Sequence, residues 1–343
     1  MNRLKNCVLP FLLAILALPA LAQEGRVTVR VTDYDTSAVV TNAEVRAGFN
    51  TNIKPGWGLG GGRPNRETGL TDTNGVCTLT GSGNGGSVGI AVGKEDYYWS
   101  SGYSVRFTNV TGVLGMRKWE PWNSTVDVVL KKIIDPIPLY ARCIREMEIP
   151  VENEPVGFDL VVGDWVSPHG DGKNPDFVFQ MDRKPEQVIE KTSPHGPYSK
   201  TLYDVTLTVS CSNEGDGFHL VPMVPIGHGP TSGLRMPYEA PLDGYEPTIT
   251  KRAYNSIEEP LHTDVQDDAN YFFRVRTEKD EDGKIVSALY GKITGDFRFE
   301  PHVRKKLSFI YYLNPEPNDR NLEFDPERNL FKGLKSTEQV TAP

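Results

Sequence analysis

Alternation of apolar and polar side chains is the dominant pattern of this chain. Val27, Val29 and Val31 alternate with Thr28, Arg30 and Thr32, and Val205, Leu207, Val209 and Cys211 alternate with Asp204, Thr206, Thr208 and Ser210. A period of two places each set on one face of a pleated strand, so both segments are expected as half-buried strands. Further strand-like runs follow at Val40 to Val45, Val88 to Val92, Thr125 to Ile133, Val156 to Val162, Phe177 to Met181 and Phe218 to Ile226. Tyr271 to Glu278, Lys284 to Ile293 and Lys306 to Leu313 complete the set. Asp282 and Gly283 join two of these runs with the chemistry of a type I′ hairpin turn. No segment of helix length carries an apolar period of 3.6; single helical turns are expected at Pro185 to Lys191 and Ile257 to Asp267. The expectation is an all-β protein, with a second half built as an antiparallel β-sandwich or jelly-roll-like pair of sheets between Pro- and Gly-rich loops.

The start of the chain departs from this pattern. Arg3 and Lys5 precede an apolar run from Val8 to Leu18, and Ala20, Leu21 and Ala22 form a small-x-small site. Residues 1–22 therefore read as a secretory signal peptide cleaved near Gln23, which places the mature chain in a periplasm or outside the cell. Later apolar runs fall far short of the roughly 20 residues a spanning helix needs, so no transmembrane segment is expected in the mature chain. At 343 residues the chain exceeds what one core usually organises. The expected division is residues 23–134, residues 135–331 and a flexible tail at 332–343, with the Pro-punctuated joint at 134–138 too short to permit much motion. With 45 acidic against 37 basic side chains and a net charge of −8, the chain is not expected to bind nucleic acid.

Several motifs fall in the first half. Val40, Thr41, Asn42, Ala43, Glu44 and Val45 follow a V-x-x-A-x-V pattern, and Thr71, Asp72, Thr73, Asn74, Gly75, Val76, Cys77, Thr78 and Leu79 follow a T-D-x-N-G-x-F-x-L pattern. Asn and Gly tolerate the positive φ of the turn, and the residues after them alternate into a core. Asp96, Tyr97 and Tyr98 resemble a third element, a G-Y-x turn, with Asp96 in place of the glycine. Together, residues 24 to 134 resemble the transthyretin-like, carboxypeptidase-regulatory β-sandwich. That resemblance implies an Ig-like or transthyretin-like sandwich serving as a structural or binding accessory. Cys77 stands where the family carries an aromatic and is read as core. The sequence departs from the family in the Gly-rich stretch Lys54 to Arg66, which holds Trp57.

Candidate chemistry is sparse. Trp57, Trp99 and Trp165 are candidate ligand-facing rings, set against the simpler reading that each covers a core. Asp164, Asp171 and Asp176, with Asn174, have the composition of an oxygen-ligand calcium site without EF-hand spacing; calcium is the one candidate ion, against a solvated polar loop. Asp164 with Asp264 or Asp268 is a candidate glycosidase pair whose separation in space decides the matter. The six histidines, His169, His195, His219, His228, His262 and His302, show no zinc spacing. Cys143 and Cys211 are the expected disulfide, leaving Cys77 free. Gly85 to Gly89 satisfies G-x-S-x-G and Gly56 to Gly61 satisfies G-x-G-x-x-G, but neither lies in the strand-to-helix context that gives those motifs their chemistry. These residues point to an exported, non-catalytic accessory or binding protein with no resident cofactor and glycans or envelope proteins as partners. The rival readings are a secreted glycan hydrolase using second-half carboxylates and a structural surface protein with no small ligand. Oligomeric state is not legible.

Overall fold

The computed structural model describes residues 24–49, 65–82, 87–111, 117–194, 196–221, 231–259, 261–266, 268–301 and 305–343. The signal peptide assigned to residues 1–22 and the candidate Trp57 lie outside them. Two β-sandwiches account for almost all of the secondary structure. In the first, β1 (Glu24–Asp33) runs between β4 (Val76–Ser82), antiparallel to it, and β9 (Ser124–Leu130), parallel to it. The facing sheet has the order β17, β6, β5, β2, β3, comprising Thr231–Ser232, Ser100–Arg106, Ser87–Gly93, Glu44–Phe49 and Asn65–Leu70. Val27, Val29 and Val31 from one sheet meet Val45, Phe49, Val88, Ile90 and Val92 from the other, and Cys77 is buried among them. The alternation in the sequence thus lands on the face it predicted. A separate hairpin pairs β7 (Thr108–Thr111) with β8 (Arg117–Glu120).

The second sandwich is larger. One sheet has the order β10, β23, β21, β20, β16, comprising Tyr140–Glu148, Lys306–Leu313, Ile285–Thr294, Asn270–Lys279 and Gly217–Val221, with β22 (Arg298–Phe299) also on β23. The other has the order β12, β11, β13, β15, β18, β19, comprising Asp164–Trp165, Val156–Asp159, Phe177–Arg183, Gly196–Cys211, Thr248–Asn255 and His262–Thr263. The first half of β15 extends past this sheet to pair with β14 (Gln187–Ser193). Between the sheets lies an aromatic core in which the Phe158 ring meets Trp165, Phe179, Phe309 and Tyr311 edge to face.

The six-stranded sheet is also buried on its outer face, where Leu139, Ala141, Phe272, Tyr290 and Tyr312 pack under Met236, Ala240, Leu322, Phe324 and Val340 from long connecting segments. A strand buried on both faces loses its alternation. That is why Tyr271, Phe272 and Phe273, and Tyr311, Tyr312 and Leu313, occur as unbroken apolar runs.

Four sequence expectations are corrected. Residues 332–343 are not a loose tail: the backbone N–H of Cys143 donates to the Glu338 carbonyl (2.9 Å), Arg142 pairs with Glu338 (2.8 Å) and Val340 is buried. The helical turn at 185–191 is strand β14, and 257–267 holds strand β19 and no helical turn among its described residues. The hairpin at Asp282 and Gly283 is not type I′, which needs positive φ at both central residues. Only Gly283 has it (φ 77°), while the Gly283 N–H donates to the Asp280 carbonyl, the pattern of a three-residue turn ending in a left-handed glycine. Finally, β17 lies far beyond residue 134 in sequence yet pairs with β6, so the second half supplies an edge strand to the first sandwich.

Candidate functional site

The two sandwiches meet around Glu323. Its carboxylate is buried and accepts from the backbone N–H of Ile134 (2.9 Å) and Asp135 (2.7 Å) in the joint and from the Tyr98 hydroxyl (2.7 Å) of the first sandwich. Burial, and then the bond to Glu323, raises the Tyr98 phenol well above its ordinary range, so it remains a donor. Lys131 reaches across the same boundary, its Nζ donating to the Met236 carbonyl (2.8 Å) and lying 4.6 Å from the Tyr34 ring centre. Burial lowers the Lys131 amine to about 8. The connection is completed by the segment that continues from β17: the N–H of Gly233 donates to the Trp99 carbonyl (2.7 Å), and Leu234 and Met236 are buried immediately beyond.

That segment also walls a cavity of about 500 Å³, bordered by Arg145 and Cys143 of β10, Arg235 and Met236, Lys292 and Thr294 of β21, Ile310 and Tyr312 of β23, and the segment from Ser336 to Pro343. Lys292 is buried; its Nζ donates to the Leu322 carbonyl (2.7 Å) and lies 4.5 Å from the Tyr312 ring centre. Burial lowers its amine to about 7, with Lys131 pushing the same way and Glu323 opposing. Its neighbour Gly291 is required by packing, since a Cβ there would stand 2.0 Å from the Phe273 ring and 2.4 Å from the Tyr312 carbonyl oxygen. Arg145 and Arg235 are exposed.

The acidic loop is built around a protein cation. Asp159 accepts from the N–H groups of Val161, Val162, Lys173 and Asn174, and Asp176 accepts from Leu160. Arg276 then bridges Asp176 (2.7 and 2.8 Å) and Asp159 (3.2 Å). Arg276 has φ 56° at a bulge in β20, an irregularity that re-aims a side chain and here turns its guanidinium into the loop. Burial raises the Asp176 carboxyl against the pull of Arg276; burial also opposes ionisation of Asp159, but its four backbone donors hold it below its ordinary value. Asp164 instead accepts from the N–H groups of Trp165 and Asp171, while the Asp171 side chain is exposed. The expected calcium ligands Asp164, Asp171 and Asp176 therefore do not gather as one ligand set among the described residues: Arg276 occupies Asp176 with the positive charge an ion would have supplied, while Asp164 is engaged by backbone N–H groups.

The other candidates are equally dispersed. Trp165 is only 4% exposed, with its indole N–H donating to the Glu148 carbonyl (3.1 Å). It is a core residue and not a ligand platform. Trp99 is 41% exposed, but its ring lies flat on Gly93, whose Cβ would stand 2.3 Å from it, and the Arg46 guanidinium is 4.3 Å from its centre. Cys77, Cys143 and Cys211 are free thiols. The expected Cys143–Cys211 bridge is not formed: Cys143 packs on the outer cluster of the six-stranded sheet, and Cys211 ends β15 of the facing sheet against the inner core. Asp164 on β12 and Asp264 just after β19 lie at opposite edges of one sheet, five strand spacings or roughly 24 Å apart, too far for a glycosidase pair. Asp264 is engaged with His262 (2.8 Å), His219 bonds the Gly244 carbonyl (3.0 Å), and His169 is exposed. Among the described residues, no three His, Cys, Asp or Glu side chains gather as metal ligands, and no helix is long and apolar enough to cross a membrane. The residues that organise the molecule, Lys131, Arg276, Lys292 and Glu323, were not candidates from sequence. Each is a single charge, and the one trace Lys292 left was a lysine between the largely apolar stretch Ala288–Gly291 and Ile293.

No protein-family model matches the chain, so the transthyretin-like resemblance remains one of motifs, and no curated protein matches it. Among solved structures, the chain is similar to the crystal structure of BcpA, the major pilin subunit of Bacillus cereus. Identity is 10%, coverage is 85% of this chain and 96% of that one, and the TM-score is 0.21, a value at which the likeness carries no inference about function.

Proposed function

We propose that this protein is an exported, non-catalytic component of the cell envelope or cell surface, with a transthyretin-like sandwich at residues 23–134, completed by the edge strand Thr231–Ser232, and a second sandwich from residue 135 that includes the packed segment 332–343, the two held in one fixed orientation. The observation that carries this reading is the buried Glu323 carboxylate, which ties the joint and Tyr98 to the second sandwich by three hydrogen bonds. Buried acids serve the same structural purpose elsewhere: Asp159 and Asp176 hold Arg276, and Asp296 holds Lys251 (2.8 Å). Carboxylates committed to fixed partners, with Asp164 and Asp264 at opposite edges of one sheet, favour a structural role over hydrolysis. Fractionation of the native host should recover the protein outside the cytoplasm and accessible to protease on intact or outer-membrane-permeabilised cells. Small-angle scattering should match one rigid conformer, and Glu323→Ala should broaden the distance distribution while both sandwiches stay folded. Cytoplasmic recovery, or an unchanged profile for Glu323→Ala, would overturn the corresponding half of the proposal.

A further inference from the structure

We infer that the cavity between the six-stranded sheet and the segment Ser336 to Pro343 is a binding site for a small organic anion, a carboxylate or phosphate ester carried on a partly apolar body. Its volume of about 500 Å³ falls within the range of small-molecule sites. Arg145, Arg235 and Lys292 border it, and no Asp or Glu side chain does, in a chain whose acids outnumber its bases. Two other arginines of the second sandwich are neutralised: Arg142 pairs with Glu338 and Arg320 with Glu239. Among the described residues, Arg145 and Arg235 have no such carboxylate.

Lys292 adds the element that surface arginines alone would not. It lies buried within an apolar cluster, over the Tyr312 ring, and among the described residues the Leu322 carbonyl is its one hydrogen-bond acceptor, whereas an ammonium carries three donors. A buried amine is costly to retain, and an anion beside it would offset that cost by supplying both an acceptor and a countercharge. Thr294, Ser336, Thr337 and Gln339 add neutral hydrogen-bonding groups, while Met236, Ile310, Tyr312 and Val340 supply apolar walls. A planar guanidinium suits carboxylate and phosphate oxygens alike, so the residues define the anion's chemistry and leave open which of the two is bound.

The test is calorimetric titration of the full mature chain with 4-hydroxybenzoate and phenyl phosphate, using benzyl alcohol as the neutral control. At least one anion should bind saturably, with benzyl alcohol at least ~10-fold weaker; the tighter anion identifies the headgroup. Because Arg145 and Arg235 are exposed, Arg145→Gln with Arg235→Gln should leave the melting temperature unchanged while weakening the bound anion by ~10-fold or more. Lys292→Met, confirmed folded by circular dichroism, should weaken it further. Equal affinity for anion and alcohol, no saturable binding by either anion, or full affinity in the double arginine variant would overturn the assignment.

Discussion

Lys292 should make the protein less stable than an apolar residue in its place, by an amount that depends on pH. The folded amine titrates at about 7, whereas an unfolded lysine keeps its proton up to about 10.5. Between those values the unfolded chain binds the extra proton, so this group's contribution to stability rises with pH. The interval corresponds to about 5 kcal/mol, at about 1.4 kcal/mol per pH unit. Lys292→Met conserves much of the volume but leaves the Leu322 carbonyl without its donor, at a cost of about 1–3 kcal/mol. The variant should therefore be more stable than the natural protein by about 2–4 kcal/mol at or below pH 7. That advantage should shrink across the window and reverse above about pH 10.5, where the lost hydrogen bond alone remains. Urea unfolding of both proteins at several pH values from 6 to 11 measures the difference, and tryptophan emission reports the core around Trp165. A stability difference that stays constant over this range would refute the reasoning, since it would mean Lys292 titrates alike in the folded and unfolded chains.

Trp165→Ala should destabilise the second sandwich by about 3–5 kcal/mol, because the ring fills a closed aromatic core; denaturant titration checks this, and a loss below 1 kcal/mol would contradict its burial. Truncation before Lys335 removes buried Val340 and the Glu338 partner of Arg142, and should cost about 2–4 kcal/mol with increased binding of a hydrophobic dye to the uncovered outer face. An unchanged melting temperature on truncation would show that the segment contributes nothing to the fold.

What the sequence determined is what depends on neighbours along the chain. The alternation in Val27 to Val31 and in Val205 to Cys211 sufficed to identify strands and their buried faces, because a strand's side chains change face at every residue whatever it pairs with. The core position of Cys77 was legible for the same reason, whereas the turn at Asn74 and Gly75 is no hairpin: only Gly75 has positive φ, and the strands on either side of it belong to facing sheets. Tertiary structure decided everything that depends on what lies across a sheet or above it. Thr231–Ser232 carries no mark that it completes a sheet more than a hundred residues upstream, since an edge strand is recruited by exposed backbone groups and not by side-chain pattern. Trp165 looked like a loop tryptophan until β12 folded it under Phe158 and Phe179. Asp176 looked like an ion ligand until the bulge at Arg276 brought a guanidinium from 100 residues away. Lys292 and Glu323 depend on long-range packing most of all, because burial arises only when segments distant in sequence close over a sheet, and a buried charge has no local signature to announce it.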